Sequence, residues 1–165
     1  SNAIRESVAH IQNHVKNILR QLKPVSQLEF GLESAVRDLV AFSARRHPDI
    51  AFELKIAPPP QLDRRHEETA YRVVQEALSN AIRHGAPQTI LIEIHADARD
   101  LTIAVQDDGG GIKLGPEAKT APGHAGLAGM RERIQALNGR FVVHQSGGGV
   151  RVSGVLPLSQ ERSVA

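Results

Sequence analysis

The sequence predicts an α+β fold, a two-layer sandwich in which helices cover one face of a mixed, mostly antiparallel sheet. Two observations lead to this prediction. Both helical and strand-like periodicities occur along the chain, and the strands occur in runs with the helices grouped apart, which is typical of a sheet covered on one face. A chain of 165 residues, 41% apolar and 23% charged, is sized for one globular core with an appendage. Apolar periodicity predicts helices over 4–22, 32–44, 63–84 and 127–137, and alternation predicts strands over 50–56, 89–96, 101–105, 141–144 and 150–156.

Composition excludes several classes of function. No apolar run approaches the roughly 20 residues that cross a bilayer. The absence of cysteine excludes disulfides and thiolate metal sites and favours a reducing compartment, by default the cytoplasm. A net charge of only +2 and an aromatic content of 3% argue against direct binding of nucleic acid.

The first helix carries a heptad pattern of apolar residues, which separates it from the rest of the chain. The spacing alternates between four and three, as on a helix that packs against another helix, and Pro24 predicts its end. We interpret 4–24 as the end of a helix bundle, 25–160 as a globular domain, 161–165 as a tail and 1–3 as the remnant of an expression tag. The alternative for the first helix is that it packs on its own domain. The seam consists of Ile4, Val8, Ile11, Val15, Ile18 and Leu22.

The third helix places polar side chains opposite its apolar face. Glu76, Asn80, Arg83 and His84 project to one side, which could simply face water. An asparagine inside a helix is a poor helix former, however, and its carbonyl oxygen suits Mg²⁺, which prefers oxygen ligands. The helix is therefore a candidate binding surface.

A second candidate lies where a strand ends in an acidic and glycine-rich segment. The carboxylate of Asp107 can accept a hydrogen bond from an exocyclic amine, while the bare backbone of Gly109 and Gly111 lets a flat ring approach. A turn without a ligand is the alternative. The long loop 115–126, ahead of the fourth helix, adds backbone amides and a helix N-terminus suited to phosphate.

Other common catalytic signatures are absent from the sequence. It contains no phosphate-binding G-x-x-x-x-G-K-[ST] loop, no G-x-S-x-G elbow and no H-E-x-x-H zinc motif. His10 and His14 stand four residues apart, as zinc ligands can, but no third ligand lies nearby.

Taken in chain order, the polar face of the third helix, the acidic and glycine-rich segment and the start of the fourth helix resemble the N, G1 and G2 boxes of the ATP-binding domain of bacterial two-component sensor histidine kinases. The resemblance covers most of the chain and implies the Bergerat-type ATP fold. The sequence is similar to one subclass of these kinases, which includes nitrate and hexose-phosphate sensors and signals to response regulators with helix-turn-helix output domains. The matching segments are 71–84 (YRVVQEALSNAIRH), 107–112 (DDGGGI) and 123–133 (GHAGLAGMRER).

The resemblance implies roles for individual residues. Asn80 would ligate the Mg²⁺ that bridges the ATP phosphates, Asp107 would bind the adenine amino group, and Glu76 would assist phosphoryl transfer. Arg83 would meet phosphate and His84 would line the adenine pocket. The other implied residues are Gly109, Gly111 and Ile112 in the G1 box, Gly123, Gly126 and Leu127 in the lid, and Gly147–Gly149 in the last glycine box, where Val150 departs from the threonine often found there.

One element of that family is missing, because no histidine followed by aspartate matches its phosphoacceptor motif. His10 precedes Ile11 and His14 precedes Val15. We therefore expect the chain to bind ATP and Mg²⁺ but not to phosphorylate itself, with the acceptor histidine upstream.

The resemblance further implies a homodimer through the dimerisation helices, a helix-turn-helix response regulator as partner, and a cytoplasmic location; it leaves open whether the parent protein is anchored in the inner membrane. Gyrase-type ATPases, chaperones, mismatch-repair proteins and serine kinases share the fold. They stay as alternatives, together with a degenerate module that only binds a partner.

Overall fold

The computed structural model describes residues 2–22, 26–59, 61–110 and 124–158, and these form the predicted α+β fold. Helices α2, α3 and α4 pack against a five-stranded sheet in this part of the chain. The elements are α1 (Asn2–Leu22), a 3₁₀ helix (Ser26–Phe30), α2 (Leu32–Arg46), β1 (Ala51–Ala57), α3 (Arg64–Asn80), a π-helical turn (Ala81–Gly85), β2 (Thr89–Ala96), β3 (Asp100–Asp107), α4 (His124–Ala136), β4 (Arg140–Ser146) and β5 (Gly149–Pro157).

The sheet is mixed and brings the ends of three strands together. Its order is β1-β2-β3-β5-β4; β1 and β2 are parallel, and the remaining pairs are antiparallel. Asp107, the last residue of β3, lies opposite Ile90 at the start of β2 and opposite Val150 at the start of β5. This acidic residue therefore lies on the central strand, at the end of the sheet where β2 and β5 begin.

The core lies between the sheet and the helices. Alternate residues of β2 and β3 are buried, because side chains on a strand point to opposite faces and only one face is covered. Helix α3 faces them with Ala70, Val74, Ala77 and Leu78, the apolar side that its periodicity predicts. Burial of this apolar surface stabilises the fold and holds α3 over the middle of the sheet.

Three local predictions need correction or extension. The third helix does not continue as an α-helix to His84: it ends at Asn80, and a π-helical turn follows, closed by Ala86 at a left-handed φ of 45°. Helix α4 begins at His124 rather than Leu127, and the 3₁₀ helix was not predicted. The predicted left-handed cap after α4 is confirmed by Asn138, whose φ is 59°.

The predicted seam of α1 is exposed wherever its side chains are described. Ile4, Val8, Ile11 and Val15 are between 46% and 66% exposed. A helix packed on its own domain would bury these residues, so their exposure gives that alternative no support. Within the described ranges, no helix combines the length and apolar character that crossing a membrane requires.

Candidate nucleotide-binding site

Two of the sequence-predicted site residues that the structure describes line one narrow pocket. It lies between the end of α3, the π-helical turn and the ends of β3 and β5. Its cavity volume of about 10 Å³ has room for about one water molecule, so a purine base requires the walls to move apart. Its lining consists of Ala77, Asn80, Ala81, Gly85, Val105, Asp107, Val150 and Val152.

A wider cleft lies at the other end of α3 and contains none of these residues. Its volume is about 750 Å³, and Leu28, Pro58 and Asp63 are among the residues that line it. Volume alone would select this cleft, whereas the chemistry predicted from the sequence selects the narrow pocket.

Asn80 is a buried amide whose hydrogen bonding the described residues do not satisfy. It is 3% exposed, and its Nδ2 atom is buried without a partner among them. Rotation of the amide exchanges oxygen and nitrogen, so this position can offer a ligand atom to a cation or a donor to a phosphate oxygen. An unpaired buried amide is costly, which indicates that something else completes its bonding.

The donor set fits a magnesium ion held mainly by phosphate and water. No cluster of three histidine or acidic side chains that could hold a metal occurs among the described residues. Mg²⁺ commonly keeps several waters and takes one or two protein ligands together with substrate phosphates. A single asparagine oxygen is therefore a sufficient protein contribution.

Asp107 provides a buried acceptor in the same pocket. It is 7% exposed, and its Oδ1 atom accepts a hydrogen bond from the backbone N–H of Gly109 at 2.8 Å. Burial raises the pKa of Asp107 above its ordinary value of 3.8, and the backbone N–H groups of Gly109 and Val150 oppose the rise. The ionised carboxylate can accept hydrogen bonds only, which suits an exocyclic amine.

Gly109 is close-packed against the π-helical turn. A Cβ atom at Gly109 would collide with the carbonyl of Gly85, and the N–H of Gly110 donates to that carbonyl oxygen at 2.7 Å. The structure therefore gives a reason for this glycine that the sequence did not suggest: contact between two backbones rather than room for a ring.

Asp108 has a well-defined contact that sequence reasoning missed. Its Oδ1 atom accepts from the backbone N–H groups of Gln88 at 2.8 Å and Thr89 at 2.9 Å. These hydrogen bonds, that of Thr89 first, lower the pKa of Asp108. The available signal was a second acidic residue directly after a strand, where such side chains often bond to nearby backbone.

Glu76 meets the first turn of α4. It lies one helical turn before Asn80, so both project from the same side of α3. A Cβ atom at Gly126 would collide with the Glu76 carboxylate. The structure thus brings together residues from the predicted N and G2 boxes, although 50 positions separate them.

The other predicted site residues that the structure describes are not among the residues that line the pocket. Arg83 is exposed and His84 is half-buried, both on the π-helical turn, where the α-helical spacing used to predict their direction no longer holds. Leu127 is buried in the hydrophobic core. Gly111, Ile112 and Gly123 lie outside the described residues, as does the side chain of His14, whereas His10 is exposed.

Comparisons with known proteins identify the family of the chain. Residues 65–160, from α3 to beyond β5, match the family described as histidine kinase-, DNA gyrase B- and HSP90-like ATPase. The sensor histidine kinase ComP of Bacillus subtilis is 27% identical over 148 residues, which cover 88% of this chain and 19% of ComP. The oxygen sensor histidine kinase NreB of Staphylococcus carnosus is 28% identical over 140 residues, covering 84% of this chain and 40% of NreB. The chain thus spans less than half the length of these two relatives.

Solved structures show the same fold. The histidine kinase domain of the blue-light activated histidine kinase from Erythrobacter litoralis EL346 superposes with a TM-score of 0.61 and 18% identity, over 79% of this chain and 62% of that one. The ATP-binding domain of PrrB from Mycobacterium tuberculosis gives 0.55 and 23%, over 74% and 90%. Because the family match spans more than half of the sequence and includes every residue that lines the pocket, the chain belongs to the histidine kinase-, DNA gyrase B- and HSP90-like ATPase family.

Proposed function

We propose that this chain is the ATP-binding catalytic portion of a sensor histidine kinase, which transfers the γ-phosphoryl group of ATP to a histidine outside the chain. One observation carries the proposal: the buried carboxylate of Asp107 and the buried, unpaired amide of Asn80 line the same pocket. A nucleotide site needs an acceptor that binds the base and a polar group that binds the phosphates or their cation.

Asp107 recognises the base in this proposal. Its carboxylate accepts a hydrogen bond from the exocyclic amine of adenine, and the N–H of Gly109 holds its Oδ1 atom. Apart from Asn80, the other described lining residues are apolar, so this contact discriminates between purines.

Asn80 serves the phosphate side, together with Mg²⁺. The magnesium ion, when bound, neutralises charge on the phosphates, which is the main electrostatic requirement of phosphoryl transfer. Asn80 supplies an oxygen to the ion. Arg83, exposed three positions further along the chain, contributes positive charge near the phosphates, and His84 borders the adenine side.

Glu76 acts on the acceptor. In the transfer, the bond between the γ-phosphorus and its bridging oxygen breaks, a bond to the acceptor imidazole nitrogen forms, and ADP leaves. The carboxylate of Glu76 orients that imidazole and takes up its proton, while Gly126 leaves room for the carboxylate against α4.

Helix α1 supplies the contact with a second copy. Its described apolar seam is exposed, as expected for half of a helix bundle. In the intact protein, the chain would therefore form a homodimer through 4–24, with 25–160 as the ATP-binding domain. A response regulator with a helix-turn-helix output domain would receive the phosphoryl group in the cytoplasm.

Phosphorylation of an extended chain tests this proposal. A version lengthened upstream to include the acceptor histidine, given ATP labelled at the γ-phosphate, should acquire acid-labile label, whereas this chain alone should stay unlabelled. Glu76→Gln should abolish labelling with ADP affinity retained. Acid-stable label would instead support a serine kinase of the same family, and ADP binding without label would support a degenerate partner-binding module.

A further inference from the structure

Asp108 joins the turn after β3 to the beginning of β2. Its Oδ1 atom accepts two backbone hydrogen bonds, from Gln88 and Thr89, and its own N–H donates to the carbonyl oxygen of Thr89 at 3.3 Å. The side chain is exposed, so it packs little apolar surface. Its contribution is to fix the backbone of this turn.

The same turn determines where the Asp107 carboxylate points. The N–H of Gly109 bonds to Oδ1 of Asp107, and the next N–H, that of Gly110, bonds to the carbonyl of Gly85. The turn is therefore fixed to β2 through the Asp108 side chain and to the π-helical turn through Gly110. Without the hydrogen bonds of the Asp108 side chain, the position of the Gly109 N–H is less constrained. The direction of the Asp107 carboxylate, which bonds to that N–H, is then less constrained as well.

We propose that Asp108 is a positioning residue for purine selectivity: by fixing the turn to β2, it holds the Asp107 carboxylate in the direction that recognises an exocyclic amine. This inference rests on the proposed adenine pocket. Asp108 itself does not line the pocket, so its effect on the base passes through Asp107.

The chain offers a matched control at the other end of the same hairpin. The Oδ1 atom of Asp97 also accepts two backbone hydrogen bonds, from Arg99 at 2.7 Å and Asp100 at 2.8 Å. Asp97 follows the last residue of β2, which places it about 26 Å from Thr89 at 3.3 Å per residue. Asp97→Ala therefore removes the same type of contact from the same hairpin without touching the pocket.

The experiment measures affinity for ADP and for inosine diphosphate, in which a carbonyl oxygen replaces the amine, by calorimetric titration of this chain. Asp108→Ala should reduce the preference for ADP about tenfold, the loss expected when a hydrogen bond to the carboxylate is misaligned. Asp108→Asn, which keeps an acceptor oxygen, should retain most of the preference. Asp97→Ala should leave it within about twofold of the unaltered chain, although both alanine variants lose two hydrogen bonds from backbone N–H groups.

The outcomes separate this inference from the function on which it rests. An unchanged preference in Asp108→Ala, in a chain whose preference Asp107→Asn abolishes, would overturn the positioning role and leave the pocket assignment intact. An equal loss in Asp97→Ala would also overturn it, since the effect would then follow stability alone. If Asp107→Asn itself has no effect, both the adenine pocket and the role of Asp108 are wrong.

Discussion

Asp107→Asn should weaken ADP binding without lowering the stability of the free chain. The substitution keeps the size of the side chain and an oxygen that can accept from Gly109, but it removes the charge and replaces one acceptor with a donor. A hydrogen bond to a charged acceptor contributes about 1.5–3 kcal/mol, so ADP should bind roughly 10- to 150-fold more weakly.

Stability without nucleotide should not fall. Burial raises the pKa of Asp107 in the folded chain, which means that the ionised carboxylate opposes folding at neutral pH and that this cost disappears as pH falls through the raised pKa. Asparagine carries no charge, so the free energy of unfolding of the free chain should stay unchanged or rise.

Titration calorimetry with ADP and thermal unfolding without ligand measure the two effects. Inosine diphosphate is the control ligand, because it lacks the amine and should lose little affinity in the variant. Unchanged ADP affinity would refute the assignment of the pocket. A weaker affinity accompanied by a fall of several degrees in Tm would refute the reasoning as well, since the loss would then reflect general destabilisation.

Three further predictions concern pH, the contact between α3 and α4, and the seam of α1. The affinity for ADP, measured by titration at a series of pH values, should fall as pH drops through the raised pKa of Asp107, because protonation removes the acceptor; this step should be absent in Asp107→Asn. Gly126→Ala should slow labelling of the extended chain about tenfold or more with little change in ADP affinity, because the added Cβ displaces the Glu76 carboxylate. Gly129 has open space around it, so Gly129→Ala is the control and should be labelled as fast as the unaltered chain. Equal labelling rates in the two variants would contradict the contact between Gly126 and Glu76. Ile11→Lys in the extended chain should shift a dimer to monomer in sedimentation equilibrium, and an extended chain that is monomeric without the substitution would contradict the proposed role of the seam.

Most of the fold followed from periodicity, because its elements are governed by burial on one face. The alternation in 89–96 and 101–105 corresponds to buried isoleucines and valines on β2 and β3, and the apolar side of the third helix is the side that faces them. Strand order could not be predicted in this way, since alternation identifies the buried face but not the neighbouring strand.

The candidate site also contains features that the sequence could predict and features that it could not. Asn80 and Asp107 could be identified because their side chains are chemically unusual at those positions. The π-helical turn could not, because apolar spacing does not distinguish it from a continued α-helix, and this changes the expected placement of Arg83 and His84. The contact between Glu76 and Gly126 depends on how α4 packs against α3, which local pattern does not specify.

Calorimetric titration with ADP, with and without Mg²⁺, on the unaltered chain and on Asn80→Ala tests the central claim most directly. The account predicts magnesium-dependent binding that is weakened at least tenfold by the substitution, because Asn80 is the buried amide whose bonding the described residues leave incomplete. Asn2→Ala, at an exposed position on α1 and not among the residues that line the pocket, is the control and should bind as the unaltered chain does. An absence of ADP binding in every condition, or binding that Asn80→Ala leaves unchanged, would contradict the account.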